Sequence, residues 1–172
     1  MEVTYYPDPV LRAKARPIEE IDDDVVARVK EMFEIMYERR GVGLAAPQVS
    51  WSVQLCVINP TPEDRSNELV CVNPVIVDAS GEEIAEEGCL CFPDMHGNVQ
   101  RSTHVTVRYY DLDGRRMEVA AEDLMARIYQ HEFDHLKGRL IIDRMTPASR
   151  AAVQGRLKEL EREFKARRRT MA

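Results

Sequence analysis

The sequence predicts an α+β fold: mostly antiparallel strands packed around a central metal-binding helix, with an N-terminal and a C-terminal helix. Three observations carry this. Apolar residues recur at helical spacing in three stretches, around Val25–Met36, Leu124–Leu136 and Val153–Phe164. Short β-branched stretches lie between them, separated by turn residues such as Asn73-Pro74 and Asp111-Leu112-Asp113-Gly114. The middle helical stretch contains His131-Glu132-Phe133-Asp134-His135, a pattern that places two imidazoles on one helix face.

Taken in order, the first 20 residues read as irregular, because Pro7, Pro9 and Pro17 block a long helix. Asp22 to Asp24 offer N-caps for a helix running to about Arg40, with Gly41 as its stop. The stretch Gly41-Val42-Gly43-Leu44-Ala45-Ala46-Pro47-Gln48 is small and nearly free of polar side chains until its final amide. It reads either as a cap running into a buried turn, or as backbone left bare for a ligand, with Gln48 aimed into a site.

Val53 to Ile58 reads as a buried strand. Leu69 to Val72 and Val75 to Val77 read as strands interrupted at Asn73-Pro74, with Cys56 and Cys71 as core thiols. His104 to Tyr110 and Arg115 to Ala120 form a hairpin. The histidine-bearing helix spans about Ala121 to Lys137, and Gly138 suits its left-handed cap. Leu140 to Ile142 is expected to be a further short strand. Thr146-Pro147 opens a last helix over about 147–168, striped by Val153, Leu157, Leu160 and Phe164.

At 172 residues the chain is expected to be a single domain, 1–172, with enough length to bury a core. The net charge of −6 gives no global attraction to nucleic acid, so no DNA partner is expected. No apolar run is long enough for a membrane span, and no membrane partner is expected. The opening Met-Glu-Val-Thr-Tyr-Tyr lacks the basic and apolar regions of a signal peptide, so a cytoplasmic, reducing setting is expected. Cys56, Cys71, Cys89 and Cys91 are then thiols or ligands rather than disulfides.

The helix pattern implies a divalent metal, an activated water and a carboxylate base. His131 and His135 supply two ligands, and Glu132 lies one step round, within reach of a metal-bound water. A catalytic site needs a third protein ligand and one open position. Cys89, in a glycine-flanked turn, is the best candidate. Glu159, Glu161 or Glu163 would instead complete a peptidase-type site. A closed structural site with Cys91 as fourth ligand is the third reading. If residues 89–91 are extended, however, Cys89 and Cys91 point to opposite faces and only one meets the metal.

Three stretches in this order, Gly41 to Gln48, Glu87-Gly88-Cys89-Leu90-Cys91 and Gln130 to His135, resemble the motifs of the peptide deformylases. The resemblance covers nearly the whole chain. It departs at Cys91, where that family usually has Ser, and at His96, where some relatives have Arg. It implies a metallohydrolase that removes the formyl group from the N-terminal formyl-methionine of newly made polypeptides and releases formate. Cys89, His131 and His135 would hold one divalent metal, natively Fe2+, with Zn2+, Ni2+ or Co2+ able to replace it. Glu132 would act as general base on the metal-bound water, with Gln48 and the Leu90 backbone N–H stabilising the oxygen that gains charge.

Val42, Gly43, Leu124 and Ile128 are the expected substrate contacts. Leu124 and Ile128 lie on the His131 side of the helix, where plain core packing is the competing reading. The resemblance further suggests that Glu87 and Arg101 pair to support the Cys89 turn. Asp134 either supports the metal site from behind or pairs with Lys137 at the surface. The expected partners are N-formylmethionyl nascent polypeptides and the ribosome. The C-terminal helix would reach the ribosome through its basic end, Lys165-Ala166-Arg167-Arg168-Arg169, with a solvated, frayed tail as the competing reading.

Overall fold

The structure, a computed structural model, describes residues 1–170. In chain order the elements are α1 (Asp23–Glu38), β1 (Gly43–Ala45), β2 (Leu55–Ile58), β3 (Leu69–Ser80), β4 (Glu83–Gly88), β5 (His96–Arg101), β6 (His104–Tyr110), β7 (Arg116–Glu122), α2 (Asp123–Leu136), α3 (Pro147–Ala152) and α4 (Gln154–Thr170). Short 3₁₀ turns join several of them. Five strands form one sheet in the order β1-β2-β3-β6-β7, and β4 and β5 form a separate ribbon. All named strand pairings are antiparallel, so the fold is α+β.

The sheet works because β2 is covered on both faces. Its four residues are all fully buried, and alternate side chains go to different neighbours. Leu55 and Val57 pack with Val29, Met32, Phe33 and Met36 of α1. Cys56 and Ile58 pack with Ile128, Tyr129 and Phe133 of α2. A run of uninterrupted apolar residues therefore marks a strand between two helices. A third cluster, with Phe92, Met95, Leu140, Ile141, Leu157 and Leu160, seats α4 against the loop after β4.

Helix α1 begins as its aspartates dictate: the Asp22 carboxylate accepts the Val25 N–H at 2.9 Å. Its end differs from expectation. The left-handed residue is Arg40, at φ 56°, not Gly41, and the Gly41 N–H closes the helix on the Met36 carbonyl at 2.8 Å. Helix α2 ends at Gly138 as expected, at φ +69°. A Cβ there would also stand 2.3 Å from the Arg12 carbonyl oxygen, so glycine is required twice over.

Three other expectations need correction, and one strand was not foreseen. Asn73-Pro74 does not break β3. Asn73 takes φ 50° at a register shift, and its side chain bonds both backbone groups of Ile18, so the strand continues through a bulge. His96–Arg101, not foreseen, is strand β5, with residues 97, 99 and 101 buried and the others exposed. Residues 140–142 are not a strand. Ile141–Asp143 is a 3₁₀ turn, with the Asp143 carboxylate accepting the Leu140 N–H at 2.8 Å. The last helix is divided at Val153 into α3 and α4, and Thr146 caps α3 as expected. No helix among the described residues is long and apolar enough to cross a membrane.

Candidate metal centre and cleft

The sulfur of Cys89 and one ring nitrogen each of His131 and His135 lie within 4.8 Å of one another. Two of the three come from one face of α2, an arrangement the i, i+4 spacing demands. The third comes from the turn after β4, which the Phe92 N–H closes on the Cys89 carbonyl at 2.9 Å. Cys89 Sγ stands 3.3 Å from His135 Nε2. His131 Nδ1 donates to Glu87 at 2.9 Å, which leaves its Nε2 for the centre. Neither Cys91 nor the glutamates of α4 join this group.

The donor set fits a divalent metal. One thiol and two imidazoles are soft and borderline ligands, and three protein ligands leave a position open. Two buried polar atoms beside the centre, Glu132 Oε2 and His135 Nδ1, have no protein partner. Such atoms in a polar cluster point to further groups bound there.

Glu87 is the node behind the centre. Arg101 grips it with two nitrogens at 2.9 and 3.1 Å, and Arg127 reaches it at 2.8 Å. Burial alone would push the Glu87 carboxyl up. The hydrogen bonds from His131 and Arg101 outweigh it and hold Glu87 well below the ordinary carboxylate range. Arg101 also reaches Asp134 at 2.5 Å, and Arg144 pairs with that carboxylate at 2.9 Å. Asp134 thus pairs with two arginines; its only bond with Lys137 is a backbone one. Arg127 and Arg144 were not singled out in the sequence. Their signal was weak, because arginines four residues before a metal-ligand pattern or in a loop usually read as surface.

Glu132 lacks such partners. Burial pushes its carboxyl up to about 7, with the Glu87 charge adding and His131 and Arg101 opposing. It packs so closely against β1 that a Cβ on Gly43 would stand 2.4 Å from its Oε1. The bare stretch before Gln48 therefore has a steric reason.

Gln48 is almost fully buried. Its Oε1 accepts the Ala45 N–H at 2.7 Å, which turns its Nε2 toward Cys89 Sγ at 3.6 Å and Cys91 Sγ at 3.4 Å. Residues 89–91 are in a turn rather than extended, so the two thiols are not sent to opposite faces. A hydrogen bond with Cys91, then burial, lifts the Cys89 thiol to about 11, with His135 opposing.

A cleft of about 520 Å³ opens onto the centre. Val42, Gly43, Gln48, Cys89, Leu90, Leu124, Ile128, His131 and Glu132 line it, together with His96. Leu124 is 57% exposed and Val42 36%, so neither is spent on core packing; Ile128 is buried and serves the core as well. Among the described residues, two strand edges without a pairing strand border the cleft. β1 is the outer strand of its sheet, and Glu86–Gly88 belongs to the two-stranded ribbon.

Against known proteins, the model for polypeptide deformylase matches residues 1–151. The peptide deformylase of Acidobacterium capsulatum is 42% identical over 161 residues, 93% of this chain and 95% of that one. The chloroplastic peptide deformylase 1B of Solanum lycopersicum is 43% identical over 169 residues, 97% of this chain. This chain spans only 61% of that longer relative. A peptide deformylase structure from Plasmodium falciparum superposes with a TM-score of 0.93 at 42% identity, covering 96% of this chain and 98% of that one. The motifs, the fold and these matches agree, and the chain belongs to the polypeptide deformylase family.

Proposed function

We propose that this protein is a metal-dependent hydrolase that removes the N-formyl group from the N-terminal formyl-methionine of new polypeptides and releases formate. The observation that carries the reading is the convergence of Cys89, His131 and His135 beside a buried Glu132 carboxylate whose Oε2 has no protein partner, at the floor of an open cleft. Cys89 Sγ, His135 Nε2 and His131 Nε2 would hold one divalent cation, with Fe2+ the expected native metal. When bound, it would keep Cys89 as thiolate, acidify water and polarise the formyl oxygen.

The residues of the chain supply the rest. Glu132 takes the proton of the attacking water and returns it to the leaving amine, a transfer that calls for a carboxyl poised near neutrality. Its raised proton affinity, from burial, suits both halves of that task. Gln48 Nε2 and the Leu90 N–H are the donors for the oxygen that gains charge as the formyl carbon becomes tetrahedral. One such donor is typically worth about 2.7–4 kcal/mol of barrier. Glu87, locked by Arg101 and Arg127, fixes the His131 ring and its tautomer. The methionine side chain would rest on Val42, Leu124 and Ile128. The peptide backbone would lie extended along Gly43 and the Glu86–Gly88 edge, with His96 beside it.

The test is a pair of variants. Glu132→Gln should keep its metal and lose turnover by about 10²–10⁴-fold. Cys89→Ala should lose metal and turnover together. A Cys89→Ala protein that retains full metal would shift the third ligand elsewhere, and a metal-free Glu132→Gln protein would remove the base assignment.

A further inference from the structure

Cys91 is the second thiol beside the centre, and its surroundings are specific. Its thiol is fully buried, whereas Cys89 is partly exposed and lines the cleft. Both sulfurs accept from the single Gln48 Nε2, at 3.6 and 3.4 Å, so the two thiols are drawn to one point. Cys89 begins a turn closed by Phe92, with Leu90 and Cys91 at its centre. Residues two apart in such a turn have Cα atoms within the roughly 4.4–6.8 Å span that a disulfide bridges.

We propose that Cys91 is the resolving thiol of a reversible oxidation site, and that peroxide converts Cys89 and Cys91 into an intrachain disulfide. Peroxide arrives through the cleft and meets Cys89 alone. Cys89 reacts as the thiolate: its sulfur attacks one peroxide oxygen, the O–O bond breaks, and the departing hydroxide takes up a solvent proton and leaves as water. Cys91 sulfur then attacks the sulfenic sulfur. The S–S bond forms, the S–O bond breaks, and the hydroxyl leaves with the Cys91 proton as a second water. Two thiols lose two electrons and one peroxide gains them, so the step balances. The disulfide removes the Cys89 donor, and a dithiol reductant restores it. With Ser at position 91 there is no resolving thiol, and Cys89 would continue to sulfinic and sulfonic acids. The loss of metal rests on the donor set proposed above; the disulfide does not.

The experiment adds hydrogen peroxide in steps to the full-length, metal-loaded protein and to its Cys91→Ser variant, then blocks free thiols. Bound metal is measured, and the tryptic peptide 66–101 is read by tandem mass spectrometry. The wild type should lose about two mass units within 89–91, release its metal, and recover both thiols and metal binding after dithiothreitol. The variant should gain about 32 or 48 mass units on Cys89, irreversibly. Equal irreversible oxidation of Cys89 in both proteins overturns the proposal, as does a link from either residue to Cys71. A disulfide at 89–91 with metal fully retained upholds the proposal and overturns the donor role of Cys89 instead.

Discussion

Replacing Gly43 with alanine isolates the placement of Glu132. Gly43 sits in β1, paired with Ile58, and its φ is not in the left-handed region, so alanine brings no backbone strain. The whole effect is steric. The new Cβ would stand 2.4 Å from Glu132 Oε1, 2.8 Å from Cδ and 2.9 Å from Cγ. Ordinary contact begins near 3.4 Å, so the carboxylate or the strand must retreat by about 1 Å. Glu132 is only 4% exposed and has little room to turn aside. A displacement of about 1 Å at a reacting group costs on the order of 10²-fold in rate. The overpacking should cost about 1–3 kcal/mol of stability. The assay is kcat and KM on a short formyl-methionyl peptide, beside metal content and a urea titration. The loss should fall on kcat, with metal retained. Gly155→Ala is the control. Nothing lies within 4 Å of a Cβ at Gly155, and alanine inside α4 should stabilise by about 0.5–1 kcal/mol without touching turnover. If Gly43→Ala turns over within about twofold of the parent and is equally stable, Glu132 is not held against β1 or not needed.

Three further outcomes follow from the same geometry. Asp134 is held below its ordinary range: burial raises it, but Arg144 and Arg101 outweigh burial. Its folded proton affinity is thus lower than its unfolded one. The stability it lends is present above about pH 4 and is lost as pH falls toward the folded value. Asp134→Asn should flatten that acid limb in chemical unfolding; an unchanged limb refutes the pairing. Deleting residues 165–172 should leave turnover on a short formyl peptide intact, because α4 is seated by Leu157 and Leu160, both within the retained part. If the basic end docks on ribosomal RNA, the cut should weaken co-sedimentation at low salt, and unchanged co-sedimentation removes that partner. Iron-loaded protein should lose activity in air much faster than nickel-loaded protein, and equal half-lives would count against metal-driven oxidation at Cys89.

The parts legible in the sequence were those set by local chemistry. Asp22 caps α1 because a carboxylate accepts free N–H groups at a helix start. His131 and His135 converge because four residues make little more than one helical turn. β2 could be read because both its faces are covered, leaving no polar interruption. What escaped depends on distant partners. Residues 140–142 have strand-like composition, but the Asp143 carboxylate folds them into a turn. Asn73-Pro74 looks like a stop, yet Ile18, fifty-five residues away in sequence, supplies the bonds that carry the chain through it as a bulge. Arg127 reads as a helix surface arginine until the fold brings Glu87 to it. The shared Gln48 amide between Cys89 and Cys91 depends on a turn that an extended reading of 89–91 misses.

The most direct measurement is formate release from a formyl-methionyl peptide by the full chain, before and after a chelator, with metal returned at the end. The account predicts formate and free amine in equal amounts, loss of turnover as metal is withdrawn, and recovery on adding back Fe2+, Ni2+ or Co2+. Turnover that survives complete removal of the metal, or no formate from a fully loaded protein, would contradict it.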